Sequence, residues 1–302
     1  MNNKRRLFST LLCVAALTAG LFVSGCGSDK AGGIGSVVSS VVDGGSDEKA
    51  AAKLNTLIDA TNRFNGDNAT WGQNYADSLA KLKGGFQEGA IGRQPHYDTL
   101  KEALEQSKKE GSTFKEVDTE RDNVLNVLNE LVPTFKDLKA YDDSKAYMND
   151  GGAKGKELAA KYVAQVEKFD AAYAKFNDAL NKANTEQTKK QIEKLKKDGK
   201  KGYAAAMEST LRLTTLVENV EKDPKNADKQ AVEKELNEIQ TLLKSINNDR
   251  GEVLVNSYNS VVGSVRQVLN DANENNLNDM IENFNNYIES YNNTTPDQFD
   301  SK

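Results

Sequence analysis

Cys26, preceded by Val23, Ser24 and Gly25, is the residue of this chain best placed to form a covalent bond. Cysteine supplies a soft nucleophilic sulfur, and the two residues directly on its amino side are small. The other cysteine, Cys13, lies upstream. The single histidine, His96, stands beside Pro95 at an expected helix start, with no HExxH spacing. Histidine-based hydrolysis is therefore set aside, and His96 reads as a surface or capping residue.

The stretch Asp150-Gly151-Gly152-Ala153-Lys154-Gly155-Lys156-Glu157 invites comparison with a phosphate-binding loop. That loop needs glycine where Asp150 stands, Ser or Thr where Glu157 stands, and a strand in front. The stretch instead reads as a glycine-rich turn, a loop over 149–155 between two helices. Lysines 189, 190, 194, 196, 197, 200 and 201 are diluted by Glu186, Glu193 and Asp198 and read as a solvated helix face, with contact to an anionic lipid or polymer as the sharper alternative. With 45 acids in the chain many carboxylate pairs lie close by chance, and sequence cannot show which converge. No EF-hand spacing occurs, and neither a metal nor a cofactor is expected. The closing Phe284, Tyr287, Ile288 and Tyr291 among asparagines could form a sugar-binding surface, but Phe284, Ile288 and Tyr291 fit one buried face.

The first six residues carry Lys4, Arg5 and Arg6 and no acid, and an uncharged run of 17 residues follows from Leu7 to Val23. This is the layout of a secretory signal, near the lower length limit for crossing roughly 30 Å of hydrocarbon. Val23-Ser24-Gly25-Cys26 at its end resembles the bacterial lipobox. That resemblance implies a diacylglycerol group on Cys26, cleavage after Gly25 and acylation of the new amino group; Cys13 then leaves with the signal and Cys26 is already used, so no intramolecular disulfide, cysteine metal site or catalytic thiol is expected. Each buried methylene contributes about 0.8 kcal/mol and one chain anchors only marginally, so two or three hold a protein durably to a lipid bilayer. Gly27 follows the cysteine, not the aspartate associated with inner-membrane retention, which favours the periplasmic face of an outer membrane in a two-membrane host. Residues 27 to 50 are rich in Gly, Ser, Val and Asp and read as a flexible tether reaching roughly 25 to 30 Å.

Removing the three basic residues of the signal takes the formal net charge from −5 to −8, no footprint for nucleic acid. Beyond the tether, apolar residues recur every three or four positions. One long helix is expected over 50–82, a shorter one opened by Pro95, and one capped by Thr113 with Glu116, which Pro133 should kink or briefly break. Further helices carry Leu158 to Leu180, Tyr203 to Val217, Val232 to Ile246, Leu254 to Leu269 and Leu277 to Tyr291, with Gly199 and Gly202 as interruptions. The expectation is an all-α, elongated antiparallel bundle of seven or eight helices: residues 1–25 signal, 26–50 lipidated cysteine and tether, 51–294 helical domain, 295–302 tail.

The run Tyr141-Asp142-Asp143-Ser144-Lys145-Ala146-Tyr147-Met148-Asn149-Asp150 and the AKGKEL turn at 153–158 resemble the central segment of the YiiG-like family of bacterial lipoproteins. The resemblance implies a helical domain of unknown function behind a lipoprotein signal and carries over no catalytic or ligand residues. Family members often place a histidine after the GKEL turn, where this chain has Ala159. The leading functional expectation is a non-enzymatic module that binds or scaffolds an envelope protein or cell-wall polymer. Tyr141, Asp142, Lys145, Tyr147, Lys154 and Lys156 form its candidate contact patch. The alternatives are a carboxylate-based enzyme acting on an envelope polymer, which needs two converging acids, and a small-ligand carrier, which needs an apolar pocket.

Overall fold

The computed structural model describes residues 46–69, 72–92, 94–111 and 114–301. The signal, the Val23 to Cys26 stretch and the tether up to residue 45 lie outside them, as do Trp71 and Thr113, the expected capping residue. The described residues form eleven helices and no strand: α1 (Ser46–Ala69), α2 (Gly72–Lys83), α3 (Tyr97–Lys109), α4 (Lys115–Asp143), α5 (Tyr147–Asp150), α6 (Ala153–Lys197), α7 (Lys201–Lys222), α8 (Lys229–Lys244), α9 (Asp249–Asn270), α10 (Glu274–Asn292) and α11 (Pro296–Phe299). The fold class is all-α. Among the described residues no helix is long and apolar enough to cross a membrane.

Length alone allows one elongated domain or two packed bundles, and the helices of the expected 51–294 region group into two compact units, one ending at Ala183 and the other starting at Asn184. Periodicity gives each helix an apolar face but does not say which faces meet, and here they meet in two local groups. In the first unit Leu54, Leu57 and Ile58 of α1, Leu100 and Leu104 of α3, Val124, Leu128 and Leu131 of α4, and Val166, Phe169 and Phe176 of α6 share one core. Phe64, Tyr97, Phe169 and Tyr173 add a ring cluster with centroids 4.9–5.9 Å apart. Buried Arg121 pairs with Asp118 at 2.8 Å and Asp122 at 3.1 Å, which offsets the cost of burying its charge.

In the second unit Met207, Leu213, Leu236, Ile239, Leu254, Val261, Met280 and Phe284 are buried. Asp228, Asn248 and Asn273 cap α8, α9 and α10 by accepting first-turn amide hydrogens, each worth about 1 kcal/mol. Bidentate Arg212 to Glu235 ties α7 to α8, and bidentate Arg266 to Glu233 ties α9 to α8. Of the expected buried face, Phe284 and Tyr291 are buried and Ile288 is half-buried, and Tyr287 is buried with them, its hydroxyl 3.0 Å from that of Thr210.

Three local expectations change. α4 runs unbroken through Pro133, which lies on its exposed side with Asn129, so the carbonyl that loses its donor keeps access to water. The loop expected over 149–155 shortens to Gly151 and Gly152, both at positive φ, and Gly155 falls inside α6. The stretch read as a tail carries α11, whose Phe299 is buried between Tyr203 and Tyr291.

Candidate functional site

The end of α4 sets up the first feature. Its C-terminal carbonyls are closed by Ala146 N–H to Tyr141 O at 3.1 Å and Lys145 N–H to Asp142 O at 2.9 Å, the Schellman pattern. That pattern needs a left-handed residue after the cap, and Lys145 occupies the position at φ +54, the one described non-glycine residue with positive φ. A side chain there costs about 1–2 kcal/mol relative to right-handed backbone. The strain turns the chain into α5 and on to α6.

Asp150 then closes the turn. Its Oδ1 accepts the Tyr141 hydroxyl at 2.5 Å and Gly152 N–H at 2.9 Å, and its Oδ2 accepts Lys154 N–H at 3.1 Å. The Tyr141 hydroxyl and those amides at the start of α6 hold the Asp150 carboxyl below the usual carboxylate range. The neighbouring glycine has no room for a side chain. A Cβ on Gly155 would lie 2.6 Å from ring atoms of both Phe86 and Tyr141. Phe86 stands edge-on to Tyr141 at 5.2 Å and 5.8 Å from Tyr147. Glu88, two residues on, accepts from the Tyr147 hydroxyl and pushes its pKa up to about 12. Residues 86 and 88 of the connection between α2 and α3 are thereby clasped onto the α4–α6 junction.

The six residues expected to form a contact patch fall on or beside this junction in different roles. Tyr141 is buried, so it supports the surface from beneath and is corrected from contact to framework. Asp142 and Tyr147 are half-buried, and Lys145, Lys154 and Lys156 are exposed. Met148, next to Tyr147 in α5, joins them at 76 % exposure, an apolar side chain left in solvent. Sequence reasoning missed Phe86, Glu88 and Met148. Phe86 standing alone among Gly84, Gly85 and Gly89 was the available signal, since an aromatic residue in a glycine-rich connection needs an anchor.

The other half of the same connection lines a groove. Ser78 Oγ accepts Gly92 N–H at 2.9 Å and donates to Ala90 O at 2.6 Å, and Tyr162 donates to Gln94 Oε1. The Tyr75 and Tyr97 hydroxyls lie 2.9 Å apart, and Tyr162 joins them by hydrogen bonding. Burial pushes all three phenols well above their usual pKa, so they stay protonated and serve as donors. Above this network Ile91, Pro95 and Tyr97 face Val132, Phe135, Lys136 and Lys139 of α4 across a cavity of about 480 Å³. His96 lines it too. It occupies the N-cap position of α3 and places no side-chain hydrogen bond on the first turn, so it is a surface residue and not a capping one.

Burial pushes Asp170 up to about 6, opposed by Lys83, and Glu221 up to about 7. They belong to different units. No group of three or more His, Cys, Asp or Glu side chains among the described residues could hold a metal ion. In the lysine run Lys196 pairs with Glu208 at 2.9 Å and Lys200 with Asp297 at 3.1 Å.

No curated protein and no solved structure matches the chain. A family model, described as a protein of unknown function, matches residues 48–280, which takes in both the clasp and the groove. By that match over most of its length, the chain belongs to the DUF3829 family.

Proposed function

We propose that this chain is a membrane-anchored envelope lipoprotein of the YiiG-like kind, whose helical part binds or scaffolds another envelope component without catalysing a reaction. The anchor is Cys26, carrying acyl chains in a lipid bilayer, on the periplasmic face of the outer membrane where the host has two. The observation that carries the binding role is the surface above the clasp. Met148 is exposed and its amide donates to Lys145 O at 3.0 Å, Lys145, Lys154 and Lys156 are exposed in the same short stretch, and the turn between them is fixed by Asp150, Tyr141 and Phe86. An exposed apolar side chain near cationic ones on a hydrogen-bonded turn suits recognition, because a pre-organised backbone loses little entropy on contact. The partner class is an envelope protein or an anionic cell-wall polymer, which the lysines would meet.

The test is proximity crosslinking in intact cells with identification of bound proteins and glycans by mass spectrometry. The native chain, Cys26→Ser, and a Lys154→Glu/Lys156→Glu variant are compared. Recovery of a specific partner should be lost with Cys26→Ser and fall at least tenfold on charge reversal, with thermal unfolding unchanged. Undiminished recovery from the charge-reversed protein removes the patch from this role.

A further inference from the structure

We propose that the groove between the α2–α3 connection and α4 binds a single-chain amphiphile with one anionic headgroup, at a site separate from the patch around Met148. Its size falls inside the range of small-molecule sites, roughly 300–1,000 Å³, at about 480 Å³. The walls sort by polarity. Ile91, Val132 and Phe135 present hydrocarbon, and Lys136 and Lys139 stand at the rim with side chains 65 % and 54 % exposed. Among the described residues Asp98 is the one acid that lines the groove, and Lys136 pairs with it at 3.4 Å.

Charge complementarity fixes the sign of the headgroup. Among the described residues the lining carries two lysines against one aspartate in a chain whose formal net charge is −5, so an anionic headgroup would meet two exposed ammonium groups there. The pairs of Lys136 with Asp98 and of Lys139 with Asp143 are solvent-exposed, and exposed pairs exchange partners at little cost. The first turn of α3, residues 97 to 99, also opens on the groove, and a helix start favours negative charge. A carboxylate or phosphate at Lys136 and Lys139 would leave its alkyl chain on Ile91, Val132 and Phe135. The hydroxyl network under Tyr97 holds that floor in place.

The experiment uses the full lipidated chain in phosphatidylcholine vesicles and a dodecanoate carrying a terminal diazirine. After photolysis, labelled peptides are mapped by mass spectrometry with unlabelled decanoate, dodecanoate or dodecyltrimethylammonium as competitors. Label is expected on peptides holding residues 91–99 and 132–139. Dodecanoate should displace it and dodecyltrimethylammonium should not. Decanoate should compete more weakly, by about fourfold for each methylene removed, which is the fold-change given by about 0.8 kcal/mol per buried methylene. Lys136→Glu/Lys139→Glu should cut labelling at least tenfold with thermal unfolding unchanged, and Lys136→Arg/Lys139→Arg should retain it. Label confined to residues next to Cys26 would assign the probe to the bilayer alone and overturn the proposal. Equal displacement by the cationic amphiphile, or full labelling of the charge-reversed protein, would overturn it too.

Discussion

The two units use the same devices where one helix ends and another begins, and they fill them differently. α6 ends in a Schellman pattern, with Lys200 N–H to Leu195 O at 2.9 Å and Gly199 N–H to Lys196 O at 3.3 Å, and glycine holds the left-handed position at φ +78. α4 ends in the same pattern with Lys145 there. α7 opens under the Asp300 carboxylate, which accepts Gly202 N–H at 2.7 Å, and α6 opens under Asp150. Gly202 is pressed against the backbone of Phe299, whereas Gly155 is pressed against the rings of Phe86 and Tyr141. The second-unit junction has the residue each position wants and buries its apolar group, Phe299. The first-unit junction carries a strained lysine and exposes Met148. Local rules broken together at one place point to a surface kept for something other than stability.

Glycine replacement separates the two junctions most sharply. Alanine in a helix is favoured over glycine by up to about 1 kcal/mol, so a destabilised variant reports the close approach and not propensity. A Cβ at position 202 would stand 2.0 Å from Phe299 O, a backbone atom that Asn248 Nδ2 also fixes at 3.1 Å. Gly202→Ala should cost about 3 kcal/mol in chemical denaturation, because α11 has to leave its place. Gly155→Ala meets only rings, which can tilt, and should cost about 1–2 kcal/mol. Equal losses would mean that the two junctions are equally rigid and would erase the contrast.

What the sequence disclosed follows the same division between local and distant. Helices were legible because the stripe from Leu54 to Ile58, or from Leu254 to Leu269, is written in consecutive turns. The boundary near Ala183 was not, since no residue of α6 records which neighbours its successive turns will meet. Phe135 shows the limit at the site. It continues the stripe of Leu128 and Leu131 and reads as core, yet it is half-buried and faces the groove, because the connection through Ile91 and Pro95 stops short of covering it. Tyr75, Tyr97 and Tyr162 were readable as buried rings. That their hydroxyls meet depends on three helices at once.

Lys145→Gly tests whether the strained position is retained at a cost. Glycine removes the left-handed penalty, and its greater freedom in the unfolded chain gives part of that back, so the variant should gain about 0.5–1 kcal/mol. The matching change at the other junction, Gly199→Lys, should lose a similar amount. If Lys145→Gly gains stability while crosslinked recovery of the partner drops, the lysine serves contact at the expense of the fold. A gain with recovery unchanged would make the strain incidental and leave Lys154 and Lys156 as the cationic part of the patch.

The smallest effect expected is on acid stability, and it isolates the charge of Asp150 from its geometry. The folded carboxyl titrates below its ordinary range, with the Tyr141 hydroxyl as the largest cause and the Lys154 and Gly152 amides behind it. A depressed folded pKa contributes stability that is fully present above the unfolded value, near 3.9, and is lost as pH falls through the folded value. Asp150→Asn keeps one oxygen to accept from Tyr141 or Gly152 but cannot titrate. Chemical denaturation should find the variant weaker than the native chain at pH 6, with the gap narrowing from about pH 4 to pH 2. A gap that stays constant over that range would show that Asp150 closes the junction as a hydrogen-bond acceptor alone, with its charge and the α6 terminus contributing nothing.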